Sequence, residues 1–445
     1  MASVILGDWT HRRGDPGGAR AVAAEIDRPR PVIAWSWEPE HGGLVDQVRV
    51  VGHVVVVATM CPRDPAAPGW EHAVVYALDA QTGTEIARRA LPDPLPIAAM
   101  VFEGGLLHIV AARRGEPIYW YALSLDDLKA QHRRVAAAAA AHHDDVLDAW
   151  VTPEGGLWFE LDVPVAGATT RAQTYAFSDA SGATTVRVHS EREVAEGPSL
   201  AHDASAGGRD LFVPSDGRWE GSREPTPPAI ARFAPLESSD ETADADGELR
   251  LVADWATASI VGPRARIHTL GGDGFVYGVA SAEDTTKPDR VRVEAFAIDR
   301  KTGALRWRAF DDRVAAAPAL GDAARTVRRP NGELLFQRFG VDGAPRTPLL
   351  CARPDGRLDA VWLGARGRYV LDAALGPLVL AHRESRSGSV EVGGFAVDRA
   401  GRLLGRRAVA VWSLDVGDLG GAATVYAGAG LVVVRGLRAV RAVRL

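Results

Sequence analysis

A chain of 445 residues, 47% hydrophobic and 24% charged with 47 glycines and 27 prolines, has the composition of a folded protein rich in short strands and tight turns, which excludes disordered and low-complexity classes. A formal net charge of -6 argues against nucleic acid as a partner, and no run of eighteen apolar residues offers a membrane span. Two cysteines, Cys61 and Cys351, are too few and too far apart for a disulfide framework.

Residues 1–29 read as an N-terminal extension without the apolar core and cleavage site of a secretory signal, so the expected location is cytoplasmic. Val32-Ile33-Ala34-Trp35-Ser36-Trp37 follows as a strand with no earlier partner. From Val45 onward, short apolar runs return along the whole chain: Val54 to Val57, Leu106 to Val110, Leu157 to Phe159, Leu211 to Val213, Phe275 to Tyr277, Leu334 to Phe336, Leu378 to Leu380 and Leu431 to Val434. Bounded by Gly and polar turns, with helical propensity only at Ala136 to Ala141, they predict an all-β fold.

A short phrase follows most of these runs. It is fullest at Ala297-Ile298-Asp299-Arg300-Lys301-Thr302-Gly303-Ala304-Leu305-Arg306-Trp307 and partial at Ala77 to Gly83, Ala176 to Gly182, Ala352 to Leu358 and Ala396 to Leu403. Weaker copies sit at Ala122 to Asp126 and at Ala234-Pro235, the latter with its turn displaced to Asp246-Gly247-Glu248-Leu249. An Asp that bonds backbone amides two residues on, then a Gly able to take positive φ, is hairpin chemistry. The interval of roughly fifty residues is the period of four-stranded propeller blades.

The chain ends at Arg441-Ala442-Val443-Arg444-Leu445, the strand just before such a turn, so the last unit lacks its outer strand. Pairing residues 31–38 with 415–445 supplies it and removes two open edges. The expected architecture is a single closed eight-bladed β-propeller over residues 30–445, sealed by its terminal strands. Its blades fall near 45–94, 95–136, 142–191, 193–255, 257–311, 314–364, 366–410 and 415–445 with 31–38. The irregular fourth unit, with Pro214 to Pro228 and acidic Glu237 to Asp246, leaves seven blades as the alternative.

The phrase from Ala297 to Trp307, and its part from Ala77 to Gly83, resembles the repeat of PQQ-type (quinoprotein-like) propellers, in which the Trp of one blade docks on its neighbour's backbone. Trp255, Trp307, Trp362 and Trp412 recur at about that period, and Trp307 fits the motif strictly. Cofactor-using quinoprotein dehydrogenases carry an adjacent cysteine pair; this chain has none, so the resemblance implies the cofactor-free branch and no cofactor residue. That branch includes the lipoprotein scaffold of outer-membrane assembly and WD40-like cytoplasmic bacterial propellers encoded beside MoxR-type ATPases and von Willebrand A proteins.

No catalytic residue and no metal ligand is expected. His142-His143-Asp144-Asp145 offers metal-binding side chains, but neighbours on a strand point to opposite faces, and the cluster reads as a solvated turn. Gly271 to Gly274 and Gly428 to Gly430 read as hairpins because neither has dinucleotide spacing or precedes a helix. Arg435, Arg438, Arg441 and Arg444 read as a solvated or ion-paired end, and Cys61 as an inert thiol.

The expected function is therefore a non-catalytic protein-protein interaction scaffold. The alternatives are an adaptor or sensor of a MoxR–vWA system and, least favoured, a PQQ-dependent oxidoreductase. A protein partner is expected on the face carrying the long connections Cys61 to His72, Asp162 to Arg171, Pro214 to Pro228, Ser281 to Arg290 and His382 to Ser389. Trp70, Arg218, Trp219, Arg383 and Arg386 are its expected anchors, since Trp and Arg dominate interface energetics when desolvated.

Overall fold

A computed structural model describes residues 4–5, 20–22, 24–25 and 30–445, apart from 65–66, 92–96, 112–117, 136–144, 152–155, 165–170, 179–185, 191–204, 208–209, 216–228, 234–248, 251–254, 259–265, 272–273, 285, 288–289, 316–321, 341–343, 365–367 and 398–406. The described residues are almost entirely strand, with one 3-10 turn at Glu40–Gly42 and no α-helix. They form eight sheets of four or five strands and a two-residue ribbon between Val4–Ile5 and Ala24–Glu25.

In each sheet, consecutive strands pair antiparallel. The first contains Leu44–Val51, Val54–Asp64, Ala67–Asp79 and Glu85–Ala90; the second, Ile97–Glu103, Leu106–Ala111, Tyr119–Ser124 and Ala130–Val135. The third begins Asp145–Val151 and Leu157–Pro164 and continues with Arg171–Ser178 and Val186–Ser190; the fourth holds Ser205–Gly207, Asp210–Ser215, Ala229–Phe233 and Trp255–Ala258. The fifth holds Arg266–Gly271, Phe275–Glu283, Arg290–Asp299 and Leu305–Ala315; the sixth, Asp322–Arg328, Leu334–Gly340, Leu349–Ala352 and Leu358–Leu363. The seventh holds Val370–Leu375, Leu378–Glu384, Ser389–Ala396 and Ala410–Asp418. In the eighth, Thr424–Gly428, Leu431–Arg435 and Val440–Arg444 are joined by Val32–Trp37, with Val440 opposite Trp37 and Arg444 opposite Val32.

Several unit boundaries differ from those the repeat predicts; the fourth and fifth outer strands run on to Ala258 and Ala315, into the predicted next units. Residues 415–418 end the outer strand of the seventh sheet, where Ser389 pairs with Asp418, so the eighth sheet starts at Thr424. Leu249, expected within a turn of the fourth unit, instead pairs with Val186 as part of a two-residue parallel strand on the outer edge of the third sheet. Local turn chemistry marks a place to bend, but long-range pairing decides which sheet an extended segment joins.

The hairpins follow directly from side-chain chemistry. Asp79 Oδ1 accepts the amides of Gln81 and Thr82 at 3.0 and 2.8 Å and the Thr82 hydroxyl at 2.8 Å, and Gly83 turns the chain at φ +72°. Asp299 repeats this with Lys301 and Thr302 before Gly303, φ +70°. Second strands such as Val54–Val57 and Leu431–Val434 are buried on both faces, which explains why they read as continuous apolar runs instead of alternating ones.

Apolar clusters fill the seams between successive sheets: first with second, second with third, fourth with fifth, fifth with sixth, and sixth with seventh; one large cluster spans the seventh, eighth and first. First strands lie against the first strands of the next sheet from the fourth through the eighth and on to the first, second and third. Hydrogen bonds cross the same seams at a near-constant sequence separation. Trp35 Nε1 donates to Ala80 O at 2.8 Å, Gln47 to Ile97 O at 3.1 Å, Thr257 to Gly303 O at 2.7 Å and Arg329 to Pro377 O at 3.0 Å. Each spans 45 to 50 residues, one repeat of the chain.

Candidate functional site: an interaction face and the polar cluster beneath it

Two ends of the sheets can be told apart by their backbone bonds. At one end the first-to-second and third-to-fourth turns meet, as in Ala80 N to His53 O at 2.8 Å and Arg300 N to Gly274 O at 3.0 Å. At the other, second-to-third connections meet the links between sheets: Val45 N donates to Leu437 O at 2.8 Å, and Ala423 N to Glu384 Oε1 at 2.7 Å. The described parts of Cys61 to His72, Ser281 to Arg290 and His382 to Ser389 lie at the second end, while most of Asp162 to Arg171 and of Pro214 to Pro228 lies outside the described residues.

The first of these is built differently from the loop the sequence predicts. Met60 is the last residue of its strand paired with the first strand, opposite Leu44, and Val74 is opposite Ala90 on the other side. Beyond those pairs the hairpin continues alone, Cys61 opposite His72, Pro62 opposite Trp70 and Asp64 opposite Ala67. The segment is thus a two-stranded arm projecting past the sheet, with Trp70 on its returning strand.

On the seventh sheet, His382–Ser389 is a tight hairpin, with Ser385 N bonded to Ser389 O at 2.8 Å. Arg386 is exposed at its turn. Arg383 is bound into the protein: its Nε donates to Glu391 Oε2 at 2.8 Å, and its guanidinium lies 5.2 Å from the centre of the Tyr369 ring. The Tyr369 hydroxyl donates to the other Glu391 oxygen at 2.5 Å. Burial and this bond to a carboxylate push the Tyr369 phenol up. Burial alone would raise Glu391, but bonds from Tyr369, Arg383 and Ser413 outweigh it and hold the carboxyl below its usual range.

Below this hairpin lies a buried polar cluster. Asp372 is the extra residue of a β-bulge between Leu371 and Ala373 on the first strand, and it is 1% exposed. One of its oxygens pairs with Arg325 of the sixth sheet, and the other lies 2.6 Å from His382 Nδ1. Burial would push this carboxyl up; the charges of His382 and Arg325, with the Val425 amide of the eighth sheet, more than reverse that and hold it low. Arg325 also donates to Leu371 O at 3.0 Å, and Gln337 accepts the Leu371 amide at 2.7 Å. One buried carboxylate thereby ties three sheets together, with both oxygens engaged, as a cross-brace between blades.

Of the predicted anchors, Trp70 is on the arm of the first sheet, while Arg383 and Arg386 share the seventh-sheet hairpin with the eighth sheet between them and Trp70. Arg218 and Trp219 lie outside the described residues, as do His142 to Asp144. Arg435, read from sequence as a surface charge, donates to Val45 O across the seam at 2.9 Å. Cys351 is buried and its thiol is pushed up to about 12 by that burial. The described residues contain no group of three or more His, Cys, Asp or Glu able to hold a metal, and no helix long and apolar enough to cross a membrane.

Sequence reasoning missed Asp372, His382 and Arg325. Their signal was a polar residue inside an apolar strand, as in Val370-Leu371-Asp372-Ala373, which pattern alone does not connect to a partner on another sheet. It also missed Trp35, whose indole covers Gly83 of the first sheet's Asp–Gly turn. This is the docking expected of Trp307, found on the strand that completes the eighth sheet.

No protein-family profile matches this sequence, and no curated protein matches it. Solved structures do resemble the fold. The quinohemoprotein alcohol dehydrogenase ADHIIG of Pseudomonas putida HK5 superposes with a TM-score of 0.54 at 12% identity, over 99% of this chain and 80% of that one. BamB from Moraxella catarrhalis gives 0.52 at 11% identity, over 94% of this chain and 100% of BamB. At these identities the likeness shows a β-propeller fold and leaves activity and partners open.

Proposed function

We propose that the eight sheets are the blades of one ring, closed where Val32–Trp37 completes the sheet begun by Thr424–Gly428, and that the ring is a protein-interaction scaffold. The observation that carries this reading is the arm at Cys61 to His72. A rigid ring, braced across its seams, presents a two-stranded ribbon whose outer edges pair with no other strand among the described residues. Open strand edges offer backbone donors and acceptors, and Trp70 on the arm supplies the aromatic anchor that interfaces favour. Arg386 is exposed at the same end, and Arg218 and Trp219 are proposed as further anchors.

The test is affinity purification from the native host with three chains in parallel: unsubstituted, Trp70→Ala and Trp219→Ala. A protein recovered with the first and at least tenfold reduced with the variants, at unchanged thermal midpoints, supports the scaffold and its face. Equal recovery from all three, or a large fall in midpoint showing these tryptophans to be core residues, removes it.

A further inference from the structure

The free edge of the first strand of the seventh sheet is covered by the chain itself. Ala21–Val22 pairs parallel with Val370–Leu375, Ala21 opposite Ala374 and Val22 opposite Leu375. The Ala374 amide donates to Arg20 O at 2.9 Å. In a parallel ladder the next amide of the added strand, that of Val22, donates back. Ala21 packs, partly buried, against the apolar cluster between the sixth and seventh sheets. The segment also lies beside Thr424–Gly428 of the eighth sheet. Because the first strand of the seventh sheet packs against the first strands of the sixth and eighth, this edge is on the inner side, opposite the outer strands that carry the exposed apolar residues Val32, Ile86, Phe310 and Val411.

We infer that this inner edge is a peptide-binding site, taking an extended segment in parallel register with a small apolar residue opposite Ala374, and that residues 20–22 occupy it as a tethered ligand which a partner peptide displaces. The occupant seen defines the chemistry. The contact is made by backbone and one alanine, so recognition is by strand addition, and the seam admits a side chain of about alanine's size. The hold is slight compared with the antiparallel pairings of the same sheet, which run over five residues between Val370–Leu375 and Leu378–Glu384 and over seven between that strand and Ser389–Ala396. What keeps so short a strand in place is its tether, which gives it an effective concentration on the order of millimolar. An untethered peptide of equal intrinsic affinity competes poorly; one with a longer matching strand wins. This inference is independent of the arm at Cys61 to His72 and of any partner it carries.

The test uses the full chain and a fluorescein-labelled synthetic peptide with the sequence of residues 17–27. Val22→Pro removes the returning amide in the chain, and Ala21→Glu places a carboxylate against the apolar cluster; each expels the tethered segment by a different route. Fluorescence anisotropy is expected to show the peptide binding both variants at least tenfold more tightly than the unsubstituted chain, and a peptide carrying the same Val22→Pro change binding at least tenfold more weakly. Hydrogen exchange on the unsubstituted chain is expected to show Ala374 protected, and faster exchange in the variants at Ala374 with no change at Ala381. Peptide affinity equal in all three chains, or equal for both peptides, overturns the inference, as does an unprotected Ala374 amide in the unsubstituted chain. A dimer that Val22→Pro converts to monomer would mean that a second copy supplies the segment, and also overturns it.

Discussion

Replacing Gly83 by alanine tests the docking of Trp35 at the junction between the eighth and first sheets. Gly83 sits at φ +72°, and an added Cβ would lie 2.6 Å from Cδ2 of the Trp35 indole. Two costs follow. The left-handed backbone alone costs an L-residue about 1–2 kcal/mol. The methyl group also lifts the indole from a site where it is 7% exposed and donates to Ala80 O at 2.8 Å. Losing that bond costs about 1 kcal/mol, and partial exposure of the ring about 1–2 kcal/mol more. The sum is about 3–5 kcal/mol. Gly52→Ala is the control: φ is +56° and nothing lies within 4 Å of its added Cβ, so only the backbone cost of about 1–2 kcal/mol applies. Urea unfolding followed by circular dichroism, at matched slopes, measures the difference. In a Trp35→Ala background the extra cost at Gly83 should vanish, leaving both glycines equivalent. If Gly83→Ala costs no more than Gly52→Ala in the parent chain, the indole is not docked on the turn and the account of that junction fails.

Other outcomes follow from the same structure. Asp372→Asn leaves Arg325 and His382 without their shared anion and should destabilise by about 3–5 kcal/mol in urea unfolding at neutral pH. Because the native carboxyl titrates below its ordinary value of 3.8, its contribution is complete above that value and is lost as pH falls through the lowered one. The parent chain should therefore lose stability on acidification below that point more steeply than Asp372→Asn, and parallel curves would refute the brace. In a Cys61→Ser background, Cys351 should resist a thiol-specific dye at pH 8 until the chain unfolds, since its thiol is buried and pushed up to about 12; prompt labelling of folded protein would contradict this. Arg306 and the Thr302 amide and hydroxyl hold the Asp299 carboxyl down at about 2, so Arg306→Ala should move its NMR titration midpoint upward, toward the ordinary 3.8, while Asp79 stays put.

How much was legible in the sequence can be seen in single residues. The Asp–Gly turns at Asp79 and Asp299 were readable because an Asx turn is made by residues within four positions of one another. The apolar second strands were readable because burial on both faces leaves an unbroken run. Asp372 was not: an apolar strand with one acid gives no sign that a bulge turns that acid toward cations on another sheet. The arm at Cys61 to His72 was read as a long connecting loop, yet pairing across a hairpin keeps the segment extended.

From the sequence alone came the local grammar: strand, turn, strand, repeated at a spacing that only a series of similar sheets satisfies. Such information is local, because hydrogen-bonding side chains and β-branched residues bias the backbone within a few positions. Which strand lies beside which was settled only in three dimensions. Trp35 covers Gly83, Leu249 joins the third sheet and Ala21 covers the inner edge of the seventh, each through contacts between residues far apart in the chain. Open edges and seams exist only once sheets have assembled, and the segments that fill them are selected by fit at that stage.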